Sequence, residues 1–194
     1  MQHDPTGMER RLNPFVPSPL DVVVRALGEV GLERESVLVD LGSGDGRVPI
    51  SAGRVFGARA VGVEVNPRLV SYSRRVRDSL GLKGVEFVCA DARSVDLRGA
   101  DVVFAYLTSE ALEVLKPVLL TAGEGATVVT HDYPIRGWRP SEVLSVRSSE
   151  SQRRHTFYVY RLRDVLADRR TPPMPASRPG LRIPEVVTRV SEHI

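Results

Sequence analysis

Four carboxylates and three glycines carry the first chemistry that this chain offers. In "VLVDLGSGDGR", residues 37–47, Asp40 precedes Gly42 and Gly44, and Asp45 stands between Gly44 and Gly46. Glu64 follows in "VGVEV", and Asp91 in "VCADA". A glycine loop after a strand lets backbone approach a ligand closely, and that ligand is often a phosphate. Here the third dinucleotide-binding position is Arg47 rather than Gly or Ala, and no Gly-Lys pair exists for a P-loop. Asp45 would also repel a pyrophosphate. A tight strand-to-helix turn with no ligand is the alternative. The downstream acids favour a ligand. Glu64, at the end of a second strand, is placed to accept from ribose hydroxyls, and Asp91, at the end of a third, from an adenine amine. Either acid alone reads equally well as a solvated strand end. Together with an acidic loop they suit a nucleoside that is cationic and lacks phosphate, which is S-adenosylmethionine (SAM). The expected contacts are Asp40, Leu41, Gly42, Ser43, Gly44, Asp45, Glu64, Val65, Asn66, Asp91 and Ala92, with Tyr106 near the sulfonium.

These residues need a frame that brings strand ends together. "VPSPLDVVVRALGEVGL" predicts a helix, with Ser18 as N-cap, Pro19 at the first position and an apolar face of Leu20, Val23, Val24 and Leu27. "SVLVDL", "ARAVGVEV", "GVEFVCA", "ADVVFAY" and "GATVVTHD" read as strands. Helices "RVPISAGRVF", "PRLVSYSRRVRDSL" and "SEALEVLKPVLLTA" separate most of them, the last kinked near Pro117. In the second of these, Leu69, Tyr72, Val76 and Leu80 mark the expected apolar side. Such alternation predicts a parallel α/β sheet. "EVLSVRS" and "RRHTFYVYRLR" are joined by a short polar turn, so they should form an antiparallel hairpin at the sheet edge. The expected fold is α/β and Rossmann-like: a seven-stranded, mostly parallel sheet with a C-terminal antiparallel hairpin, as in class I methyltransferases. The expected organisation is a poorly structured segment 1–15, a SAM-dependent domain 16–163 and a Pro/Arg-rich tail 164–194 without a core of its own, in which "IPEVVTRVSEH" could form a short helix.

The methyl acceptor is expected after the fourth and fifth strands. "AYLTSE" lacks the [DNS]-P-P-[FYW] motif of base-amine DNA methyltransferases. The single cysteine, Cys89, sits on the third strand, away from where a cytosine-C5 nucleophile belongs, and reads as a small buried apolar residue. No His/Cys/carboxylate cluster is visible in the sequence, so no metal is expected.

"FVPSP", "VDLGSGDGRV", "AVGVEVNPRLVSYSRR", "THDYPIRGWRPSEV" and "HTFYVYRL" together resemble the broad-specificity protein-lysine methyltransferases of archaea and their mitochondrial relatives that act on a component of ATP synthase. The resemblance covers roughly residues 14 to 163. It implies that Val16, Pro17 and Ser18 form a lid over SAM, where an ordinary helix start is the alternative. It also implies in-line attack of a lysine amine on the SAM methyl, with S-adenosylhomocysteine as product. The amine must be neutral, and freeing lysine of its proton at pH 7 costs about 4 to 5 kcal/mol. Acceptor-side candidates are Tyr106, His131, Asp132 and Tyr133, with Trp138. Tyr106 could hold the amine or face the cation, or simply pack. His131 could accept a proton or be a satisfied structural histidine. Asp132 could attract the lysine or cap the turn, and Trp138 could pack that turn against the core. RNA, small-molecule and non-catalytic SAM-binding readings stay open beside the lysine reading.

Composition sets the outer bounds. The 194 residues suit one domain, and no run approaches a membrane span. "MQHDPTGMERRLNPF" lacks the apolar stretch of a secretory signal, so a cytoplasmic address is expected. Net charge is +3, and all but two of the 27 basic residues are arginine, Lys83 and Lys116 being the exceptions. This balance suits protein substrates, nucleic-acid-associated ones included, without indicating direct nucleic-acid binding. A monomer is expected.

Overall fold

The computed structural model describes residues 17–168 and 181–182. The main sheet contains β1 (Val37–Leu41), β2 (Arg59–Glu64), β3 (Val85–Cys89), β4 (Val102–Ala105), β5 (Thr127–His131), β6 (Glu142–Arg147) and β7 (Arg154–Arg161). Their order across the sheet is β3-β2-β1-β4-β5-β7-β6. The pairs among β1 to β5 are parallel, whereas β5–β7 and β6–β7 are antiparallel. The expected Rossmann-like arrangement and terminal hairpin are therefore present. The order reverses between β1 and β4, so their carboxyl ends open the crevice in which such folds bind ligands.

Alternation along the strands builds a core on each face. Val39 and Leu41 of β1 join Val103, Ala105 and Val128 against α4 (Ser109–Leu119) and α5 (Leu162–Ala167). Leu38 joins Val102, Phe104 and Val129 against α1 (Leu20–Glu29) and α2 (Arg47–Ser51). β1 is buried throughout, as a central parallel strand should be. Asp40 shares the parity of Leu38 and so faces the α1/α2 side.

Several local expectations shift. α1 starts at Leu20 with Pro19, not Ser18, in the cap position, because the Ser18 hydroxyl is engaged elsewhere. Its buried face is Val22, Val23, Ala26 and Leu27, whereas Leu20 is exposed. α1 ends where Gly31 adopts φ +77, with Leu32 N–H donating to Leu27 C=O and Gly31 N–H to Gly28 C=O. This pair of bonds terminates a helix through a left-handed residue. α2 continues as one π-helical turn, Ala52–Phe56. α4 runs through Pro117 to Leu119, then tightens into a 3-10 turn, Leu120–Ala122.

α3 (Pro67–Ser79) buries Val70 and Ser73, while Tyr72 and Leu80 of the expected stripe are exposed. The cause is β3, an edge strand with outward carbonyls to satisfy. Arg74 donates to Phe87 C=O at 2.6 Å and Arg77 to Val85 C=O at 3.4 Å, which turns the arginine face of α3 toward the strand. Cys89 is exposed rather than buried, again because β3 is an edge.

The boundary expected at residue 163 falls inside α5. Leu162 and Val165 both enter the main core, so the packed domain extends past that boundary. Leu181–Arg182 pairs in parallel with Val95–Asp96. The expectations for 1–15 and for a helix in "IPEVVTRVSEH" lie outside the described residues. Among the described residues, no helix is long and apolar enough to cross a membrane.

Gly46 sets the close approach of the loop to α3 and β3. It has φ +81, and a Cβ there would lie 2.7 Å from the Phe87 ring and from Ser73 Cβ. Gly46→Ala is expected to lower stability by about 2–5 kcal/mol in denaturant unfolding, from strain plus overpacking. Gly81→Ala provides the contrast. Its φ of +65 is similar but nothing lies within 4 Å, so about 1 kcal/mol is expected. Equal losses would refute the packing argument.

Candidate active site

The donor side is built from the loop after β1. Gly42 and Gly44 have φ of +78 and +55, which turns the chain back over the end of β2. There Gly42 and Ser43 N–H both donate to Val63 C=O, at 2.8 and 3.0 Å. Leu41 is buried at the strand end. Glu64 lies beside the loop. Its carboxylate accepts from Gly44 N–H at 3.0 Å and from Asn66 N–H at 2.9 Å. Asp40 is 3% exposed. Burial lifts its carboxyl pKa well above the ordinary range, and the negative charges of Glu64 and then Asp45 push the same way. A buried carboxyl beside two more acids is a site for a cation. Ser43 Oγ is buried without a hydrogen-bond partner among the described residues. These features fit SAM. Asp40, Glu64 and the glycine backbone would hold it.

Other expected contacts have more local roles. Asp45 is paired with Arg47 at 2.6 Å, which offsets its charge. The same guanidinium donates to Ser18 C=O at 2.9 Å, so Asp45 helps tether the segment before α1. Asp91 grips Arg93 through both oxygens and caps the 3-10 turn Ala92–Ser94. The Arg93 hydrogen bonds hold its carboxyl below the usual pKa. Its side chain is thus already engaged at the adenine position. Asn66 caps α3 by accepting from Arg68 N–H, with Pro67 in the first turn. Val65 is exposed, Ala92 is half-buried and Pro17 is exposed. Val16 lies outside the described residues.

The acceptor side forms where β4 and β5 end. Tyr106 directly follows β4 and donates to Asp132 Oδ2 at 3.2 Å. Burial, then the Asp132 charge, pushes the Tyr106 phenol up to about 12, so it remains a neutral donor and is no base at working pH. His131 ends β5 and is fully buried, with its ring 4.0 Å from that of Tyr106 and 4.5 Å from that of Phe157. Its Nδ1 shares a hydrogen bond with Ser18 Oγ at 2.7 Å, and its Nε2 one with His155 Nδ1 at 2.9 Å. Burial lowers its pKa to about 4, opposed by the charge of Asp132, so the ring is neutral. It is thus a satisfied histidine that also forms the floor of the site. Asp132 occupies φ +58 at the centre of a turn closed by Tyr133 N–H to His131 C=O at 2.8 Å. Thr156 pins it from both directions: Asp132 N–H donates to Thr156 C=O, and Thr156 N–H donates to Asp132 Oδ1. Tyr133 is exposed, with its ring 6.3 Å from that of Tyr106. Trp138 packs into the core edge-on to Tyr160, 5.8 Å between ring centres, and takes no place in the site.

Sequence reasoning missed His155, Ser151, Thr156 and the Arg47 tether. For His155 a signal existed: in "RHTFYVY", residues 155, 157 and 159 share the buried parity of β7. With His155 in place, the fold assembles the His/Asp cluster that the sequence did not display: His131, Asp132 and His155.

The comparisons agree with this geometry. The sequence model of the ANTKMT methyltransferase domain matches residues 40–142. A protein-lysine N-methyltransferase of Saccharolobus islandicus is 36% identical over 76% of this chain and 92% of its own length. The lysine N-methyltransferase of Mus musculus that is named for the c-ring protein of ATP synthase is 36% identical over 66% of this chain, which spans 51% of that relative. Among solved structures, an RNA methyltransferase of Salinibacter ruber bound to S-adenosyl-L-homocysteine is 33% identical, with TM-score 0.70 over 84% of this chain and 97% of that one.

Proposed function

The chain belongs to the ANTKMT methyltransferase-domain family, and from that premise we propose that it methylates lysine side chains of proteins, with wide tolerance for the protein that carries them. SAM supplies an electrophilic methyl on a sulfonium. The chain's own residues must bind the donor, admit the amine and accept its positive charge as the proton leaves. Asp40 and Glu64 serve the first task. The observation that carries the acceptor reading is the Tyr106–Asp132 pair, a carboxylate held at the crevice by a neutral phenol. Asp132 attracts the ammonium form, and its free lone pairs orient the amine. Tyr106 keeps that carboxylate in place and shields it from water. Holding the nucleophile in line is where most of the acceleration arises in such displacements.

A second reading is methylation of RNA, favoured by the likeness to the Salinibacter protein described as an RNA methyltransferase. Incubation with radiolabelled SAM and a cell lysate separates the two. Label is expected to resist nuclease, to be released by protease and to appear in methylated lysine after acid hydrolysis. Label released only by nuclease would sink the lysine reading.

A further inference from the structure

Three ligand-type atoms converge beneath Tyr106. His131 Nε2 and His155 Nδ1 are 2.9 Å apart, and Asp132 Oδ2 lies 3.6 and 3.4 Å from them respectively. A first-row divalent ion with bonds of about 2.0–2.2 Å holds its ligand atoms about 3–3.5 Å apart, which this triangle matches. The Asp132 oxygen is too far from either ring for a good hydrogen bond, so ring pairing alone does not account for the three-way convergence.

The far side of every ligand is already fixed. Ser18 Oγ meets His131 Nδ1 at 2.7 Å, Ser151 Oγ meets His155 Nε2 at 2.8 Å, and Thr156 N–H donates to Asp132 Oδ1 at 2.9 Å. Outer contacts of this kind orient metal ligands and select which ring nitrogen presents its lone pair. When both outer nitrogens donate to the serines, both inner nitrogens present lone pairs to each other. That arrangement is repulsive until a cation lies between them. The left-handed backbone of Asp132 brings the carboxylate into the same space, a conformation kept only where its surroundings over-determine it.

We propose that His131, His155 and Asp132 form a binding site for a divalent ion of the zinc class, with the Tyr106 hydroxyl beside its fourth position. Two imidazoles and one carboxylate are a donor set for zinc or cobalt rather than for magnesium or calcium. Occupancy engages Asp132 Oδ2 and so inhibits methyl transfer. That consequence, unlike the site itself, rests on the lysine reading.

Cobalt(II) added to the untagged full chain is the probe. One saturable equivalent with visible ligand-field absorption is expected, displaced by zinc. His155→Ala and Asp132→Asn should each weaken it at least about tenfold. A His3→Ala/His193→Ala double variant, which lacks the chain's other two histidines, should retain it. SAM affinity, measured on every variant, reports whether each is folded. The proposal is overturned by the absence of a saturable band, by unchanged affinity in folded His155→Ala, or by loss of binding in the His3/His193 variant. If the ion binds as expected yet leaves methyl transfer untouched, the site stands and the placement of the amine at Asp132 fails.

Discussion

Asp40→Asn is expected to weaken SAM binding at least about a hundredfold, roughly 3 kcal/mol, while making the cofactor-free protein more stable. Both effects come from one buried carboxyl. Its folded pKa is raised above the ordinary 3.8 by burial and by Glu64 and Asp45. A carboxyl shifted upward ionises less readily in the folded chain than in the unfolded one. It therefore costs stability as pH rises above the ordinary carboxylate range, and the cost levels off above the folded pKa. Asparagine has the same shape and no charge to bury. The gain in thermal midpoint over wild type should be larger at pH 8 than at pH 4 and should shrink when SAM is added to wild type. A cationic ligand favours the ionised carboxyl, so wild-type affinity should rise with pH and binding should release protons. Calorimetry in buffers of different ionisation enthalpy reads both. Affinity within about threefold of wild type would remove Asp40 from the cofactor site.

Asp132→Asn is expected to lower kcat by about a hundredfold with little change in SAM affinity. Asparagine tolerates the left-handed backbone of Asp132, and its amide oxygen can still accept from Thr156 N–H. The substitution thus removes the charge while preserving the turn. Tyr106→Phe should cost less, about tenfold, because it loses the hydroxyl that steadies Asp132 but not the carboxylate itself. Single-turnover measurements with saturating SAM isolate this step. A kcat within about threefold of wild type in Asp132→Asn would leave the carboxylate a turn cap and nothing more.

What the sequence made legible follows from how local each signal is. Glycines with enforced left-handed backbone, a buried strand before them and acids at strand ends all lie within short windows, and the fold places Asp40, Gly42, Gly44 and Glu64 as those windows implied. Asp91 and Asn66 show the limit. Each also has a neighbour two residues on that engages its side chain, and a cap and a ligand contact share the same residue types. The face of α3 was misread because apolar periodicity cannot register a strand edge that needs arginine donors. His155 lies 24 residues from His131, and only the antiparallel register of β5 on β7 brings them together.

The tether on Ser18 has a consequence for how this protein tolerates change. Its carbonyl is held by Arg47 from the donor loop, and its hydroxyl by His131 from the acceptor floor. One short residue thus carries a load from each pocket. Substitutions at Arg47 and His131, remote in sequence and made for different purposes, are therefore epistatic through Ser18. Selection for a new acceptor cannot move the floor without renegotiating the grip on the methyl donor.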